Sequence, residues 1–169
     1  PNPPHVVDPA PRPTTLTVVF AGRIEPEKGL TEFLHHWPAD ADTHLRIIGD
    51  GSARATAEAT VQRRGLQPQV TFLGRLPHAE TLRHMASAHV LVQPSLLFEN
   101  YPLSLIEALS VGTNVLVADY GGMREMVVDS GVGYLFQPTD PASLRAAWGQ
   151  IRQAFAAGTL NQFDVAPFL

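Results

Sequence analysis

Short, nearly continuous apolar runs alternate along this chain with longer stretches in which apolar residues recur at helical spacing. The runs are Leu16–Gly22, Leu45–Gly49, Val70–Gly74, Val90–Pro94, Val115–Ala118 and Gly133–Phe136. Rich in Val, Ile and Leu and punctuated by glycine or proline, they read as strands buried on both faces of a parallel sheet. Between and after them lie predicted helices at Gly29–Trp37, Ala53–Arg64, Ala79–Ala88, Pro102–Val111, Met123–Asp129 and Pro141–Ala156. In the second of these, Ala53, Ala57, Thr60, Val61 and Arg64 keep one helical face, with charges between them. Regular strand–helix alternation predicts an α/β, doubly wound, Rossmann-like parallel sheet of about six strands with helices on both faces.

In such a sheet ligands bind beyond the carboxyl ends of the strands, near the point where strand order reverses. The segments that follow the strands therefore belong together: Gly22-Arg23…Lys28-Gly29, Gly49-Asp50-Gly51, Gly74-Arg75-Leu76, Pro94-Ser95…Glu99 and Asp119…Gly121-Gly122. Among them FENYPLSLIEAL, Phe98–Leu109, sets Glu99 and Glu107 across a predicted helix start, with Pro102 in the first turn. The amides and dipole at such a start favour an anion. A phosphate flanked by hydroxyl-bearing sugars fits two acids so spaced, and two ordinary helix-start acids fit equally well. The edge shared with Arg23 and Lys28 favours the ligand. Those two cations suit a diphosphate; the alternative pairs them with Glu25 and Glu27 on a solvated surface. Gly121-Gly122 reads as a flexible turn before a helix.

Composition narrows the classes. With 169 residues, 44% hydrophobic and 17% charged, the chain suits one soluble domain with a sizeable core. A net charge of −4 and pI near 5.9 provide no general attraction to nucleic acid or to an anionic membrane. No apolar run approaches the roughly 18 residues of a membrane span. The absence of cysteine rules out disulfides and thiolate metal sites and is compatible with a reducing cytosol. Seven histidines show no metal-ligand spacing; only His78 is placed in a loop at the ligand edge, as a candidate contact to a base. GxGxxG, GxxxxGK[ST] and GxSxG motifs are all missing. Six prolines within Pro1–Pro13 predict an extended linker over residues 1–14, ahead of a domain at 15–157. Residues 158–169 are apolar without a period and read as a truncated tail with nothing to bury it against.

GRIEPEKG, IIGDG, VTFLGRL, a strand ending in QPS, ENYPLSLIE, EALSVGTNVLVADYGG and GVGYLF occur in this order. Together they resemble the C-terminal, donor-binding half of retaining GT-B glycosyltransferases of the family 4 type, over about residues 16–155. The resemblance implies a nucleotide-diphosphate sugar (UDP or GDP type) as donor, a metal-independent reaction and no further cofactor. It implies that Arg23 and Lys28 bind the diphosphate, Glu99 the transferred sugar and Glu107 the ribose. Backbone around Asn100, Tyr101, Pro102 and Leu103 would hold diphosphate and sugar, with Gly22 beside them. Arg75 and Leu76 would border the nucleobase. Tyr101 and Pro102 stand where many members have Phe-Gly, and Asn114 replaces the usual proline of a G-x-P-V turn. The resemblance also implies an N-terminal acceptor domain outside this chain and a cytoplasmic protein, with any contact to the inner membrane face made through that domain. Alternatives on the same pocket are a non-hydrolysing nucleotide-sugar epimerase and a catalytically silent nucleotide-sugar binding module.

Overall fold

The computed structural model describes residues 11–99 and 102–169. Its six strands are β1 (Leu16–Ala21), β2 (Thr43–Ile48), β3 (Val70–Gly74), β4 (Val90–Gln93), β5 (Asn114–Ala118) and β6 (Tyr134–Phe136). They form one parallel sheet in the order β3-β2-β1-β4-β5-β6. Strand order reverses between β1 and β4, which is where a doubly wound sheet opens a crevice. The helices are α1 (Leu30–His36), α2 (Arg54–Arg63), α3 (His78–Ala86), α4 (Leu103–Ser110), α5 (Gly121–Ser130) and α6 (Pro141–Ala156).

Strand alternation divides the continuous apolar runs between two cores. Val18 and Phe20 of β1, Leu45 and Ile47 of β2, Val90 and Val92 of β4, and Leu116 of β5 face α1, α2 and α6. Val19, Ile48, Leu91, Val115 and Val117 face α3, α4 and α5. The two-residue repeat of an extended chain thus turns one apolar run into two buried faces. On the first face Trp37 meets Trp148 edge-on at 5.6 Å, and both are almost fully buried.

Element boundaries differ modestly from the expectation. β2 begins two residues earlier, because Thr43 lies alongside Leu16 in the parallel register. Ala57, Thr60 and Val61 form the buried face of α2 as expected, whereas the Arg64 guanidinium turns to the carbonyls of Leu34 and Trp37 at 2.6 and 2.9 Å. Residues beyond Gly158 are not without a surface to cover. Leu160 is buried, and Phe163 and Phe168 pack on the second core. Asn114 anchors this segment, donating from Nδ2 to the Leu160 carbonyl at 2.8 Å. Its side chain thereby gives the departure from the usual proline a structural use. At the other end, residues 1–10 lie outside the described residues. Arg12, within the predicted linker, donates to the carbonyls of Ala88, Val111 and Gly112 at 2.8 to 3.3 Å.

Candidate functional site

Three loops converge at the carboxyl edge of β1, β2 and β4. The first, after β1, docks on the second: the amide of Ile24 donates to the Asp50 carbonyl at 2.9 Å, and that of Ala53 to the Ile24 carbonyl at 2.8 Å. It also docks on the loop after β4. There the amide of Leu96 and the hydroxyl of Ser95 both donate to the Glu27 carbonyl, at 2.9 and 3.2 Å. Gly29 makes this approach possible, at φ +74°, with a Cβ there falling 1.9 Å from the Pro94 carbonyl oxygen.

This docking sets Lys28 against Glu99, 71 residues further along the chain, as an ion pair. The solvated alternative is therefore not adopted by Lys28. Glu25 instead accepts from the hydroxyl and amide of Ser52, which hold its carboxyl below the ordinary range, with a smaller contribution from the Arg23 charge. Arg23 is exposed and forms no ion pair among the described residues. The second oxygen of Glu99 accepts from Gln93 Nε2 at 3.1 Å, and Ser104 Oγ donates to Gln93 Oε1 at 3.4 Å.

Beside this pair lies a cavity of about 420 Å³. Gly22, Arg23, Arg75, Leu76 and Glu107 line it, together with Asp50 and Ser104. Five predicted site residues from two loops and a helix are thus in one wall. Lys28 and Glu99 stand next to it, joined to it through Gln93 and Ser104. Glu107 is mostly buried; loss of water raises its carboxyl above the usual value, an effect offset by His78, whose Nε2 lies 3.2 Å away. His78 therefore meets a carboxylate, and it opens α3 rather than lying in a loop.

Other expectations fall differently. Pro102 is the N-cap of α4 in an extended conformation, not a residue of its first turn, and the amide of Leu105 donates to its carbonyl at 3.0 Å. Leu103 opens the helix and is exposed, while Asn100 and Tyr101 lie outside the described residues. Gly121-Gly122 is not a flexible turn: both residues open α5, and Gly122 is buried. Asp119 is occupied by Arg124 and Gln137, so the loop after β5 does not line the cavity. Among the described residues no group of three His, Asp or Glu side chains is placed to hold a metal ion. No helix among them is long and apolar enough to cross a membrane.

Sequence reasoning did not single out Gln93, Ser104, Thr81 or Met85 as site residues, although the last three line the cavity. Gln93 carried one signal, a polar residue ending the apolar strand VLVQ. The others read as ordinary helix positions.

Comparison with known proteins agrees with this geometry. The sequence profile of the glycosyl transferases group 1 family matches residues 6–152. A phosphatidyl-myo-inositol mannosyltransferase of Mycobacterium leprae is 33% identical over 136 residues, covering 78% of this chain and 36% of that protein. A glycogen synthase of Mycobacterium tuberculosis is 30% identical over 141 residues, covering 81% of this chain and 34% of that protein. The chain thus spans about a third of the length of these relatives. Among solved structures, sucrose-phosphate synthase from Thermosynechococcus elongatus superposes with a TM-score of 0.73 at 30% identity, over 89% of this chain and 40% of that one. Anabaena HepE in complex with UDP has the same fold, at a TM-score of 0.71 and 21% identity over 92% of this chain and 46% of that one. The sheet order, the site at its reversal and the family profile converge: this chain belongs to the glycosyl transferases group 1 family, with a GT-B-type Rossmann-like fold.

Proposed function

We propose that this chain is the donor-binding half of a retaining, metal-independent glycosyltransferase that moves a sugar from a nucleoside-diphosphate sugar to an acceptor hydroxyl. The observation carrying this reading is the cavity at the sheet reversal, lined by Arg23 and Glu107 and flanked by the Lys28–Glu99 pair. In this reading Arg23, Lys28 and the start of α4 meet the diphosphate charge, Glu107 takes the ribose hydroxyls, and Glu99 takes hydroxyls of the sugar. The backbone of Gly22 and the wall formed by Arg75 and Leu76 border the nucleotide. As the bond from the anomeric carbon to the diphosphate breaks, its electron pair passes to a leaving group stabilised by both cations. The acceptor oxygen then bonds to the same face of the oxocarbenium-like sugar, and its proton passes to the departing diphosphate oxygen. Acceptor recognition belongs to residues outside this chain.

Calorimetric titration with UDP, GDP, ADP and their glucose or mannose derivatives tests the reading, UDP being the first probe because HepE shares the fold and is complexed with it. At least one diphosphate is expected to bind, and Arg23→Ala or Lys28→Ala to weaken it by about 10-fold or more, as loss of a charged hydrogen bond implies. No binding of any of these at millimolar concentration refutes it.

A further inference from the structure

Gln93 is a buried amide at the carboxyl end of the central strand β4, only 6% exposed. The three residues before it in the strand are valine, leucine and valine, all buried. An uncharged polar side chain in such a place is costly unless its hydrogen-bonding groups are satisfied. Both ends of this amide are satisfied by the site. Its Nε2 donates to Glu99 Oε2, and its Oε1 accepts from Ser104 Oγ on the first turn of α4. Because Nε2 can only donate, Glu99 Oε2 is the acceptor in this contact.

The two oxygens of Glu99 are thereby held by different partners, Oε1 by Lys28 and Oε2 by Gln93. Under the function proposed above, on which this inference rests, Lys28 serves the donor diphosphate and Glu99 the sugar. Those two tasks conflict with the Lys28–Glu99 ion pair. We infer that Gln93 is a positioning residue: when the diphosphate draws Lys28 away, Gln93 keeps the Glu99 carboxylate in place through Oε2, leaving Oε1 for a sugar hydroxyl. Its second hydrogen bond, to Ser104 in the cavity wall, sets this carboxylate in register with the start of α4. Phosphate binding thus exposes the acid that reads the sugar.

The consequence is a separation between nucleotide and sugar binding. With UDP and UDP-glucose, or GDP and GDP-mannose, whichever pair binds this chain more tightly, the sugar form is expected to bind at least several-fold more tightly than the bare diphosphate. Gln93→Leu keeps the site buried and removes the donor. It is expected to leave the Kd for the bare diphosphate within about twofold and to abolish the advantage of the sugar form, a loss of about 10-fold for one charge-assisted hydrogen-bond partner. Gln93→Glu supplies a readout that a purely structural role would not move. It sets a second carboxyl against Glu99, with Lys28 behind, and two carboxyls so close share a proton. The sugar advantage is then lost at pH 8 and returns towards pH 5, where the introduced carboxyl, once protonated, donates as the amide did. An unchanged sugar advantage in Gln93→Leu, or a Gln93→Glu chain with no pH dependence of that advantage, overturns the inference while leaving the donor site standing. Equal binding of both forms by the unmodified chain overturns it too, since Glu99 then has no sugar contact to position. Failure of every nucleotide to bind removes the proposed function itself.

Discussion

Gly29→Ala tests whether the docking of the first loop builds the site. At φ +74° any other L-residue costs about 1–2 kcal/mol. The added Cβ would also lie 1.9 Å from the Pro94 carbonyl oxygen, which is backbone and cannot rotate aside. Relief requires the loop and the end of β4 to part by more than an ångström, an overpacking penalty of about 1–3 kcal/mol. Gly65→Ala is the internal control, because Gly65 has a similar φ of +67° with nothing within 4 Å of its Cβ position. Gly65→Ala is expected to cost only the backbone contribution, and Gly29→Ala roughly 2–5 kcal/mol in total. Urea denaturation reads both: with a slope of about 2 kcal/mol/M, the midpoint of Gly29→Ala falls by about 1–2.5 M. The same parting stretches the bonds from Leu96 and Ser95 to the Glu27 carbonyl and carries Lys28 away from Glu99, so diphosphate affinity falls together with stability. Stability losses equal within about 0.5 kcal/mol for the two variants would refute the reasoning, since the clash with β4 would then contribute nothing.

Two predictions concern pH. Burial, reinforced by the charges of Arg12 and Arg46, lowers His89 to about 4, and its Nδ1 accepts from the amide of Thr17 at 3.0 Å. The unfolded chain therefore binds a proton that the folded one refuses, so stability falls as pH drops from about 6.5 to 4, by on the order of 2–3 kcal/mol. His89→Asn keeps an acceptor without the titration, and urea midpoints measured across that window should flatten by this amount; equal slopes would count against it. Glu107 behaves in the opposite sense. Its raised carboxyl keeps a proton to higher pH in the folded state, so stability falls as pH rises through the window just above the ordinary glutamate value. Glu107→Gln should remove that slope and weaken nucleotide binding, as read by the same titrations; retained affinity would disconnect Glu107 from the ribose.

Much of the fold was legible because it depends on near neighbours. Continuous Val, Ile and Leu runs specify strands buried on both faces, and Pro141 after Asp140 starts α6 where the sequence placed it, with Asp140 Oδ1 accepting from the Ala142 amide at 3.0 Å. The ends of α3, α4 and β2 were less legible, since cap geometry and register settle them by a residue or two.

The sequence by itself determined which elements form, which loops follow strands, and the spacing of Glu99 and Glu107. Only the tertiary structure decided which loops meet. Nothing within GRIEPEKG indicates that Lys28 pairs with an acid 71 residues away rather than with Glu25 or Glu27 beside it. That choice follows from β1 lying next to β4 and from a glycine that lets two backbones touch. Tertiary packing likewise turned Gln93 from an odd polar end of an apolar strand into a partner of Glu99, and gave the last residues a surface to cover. Periodicity is a property of neighbours along the chain, whereas partners are fixed by strand order and register, which no local segment contains.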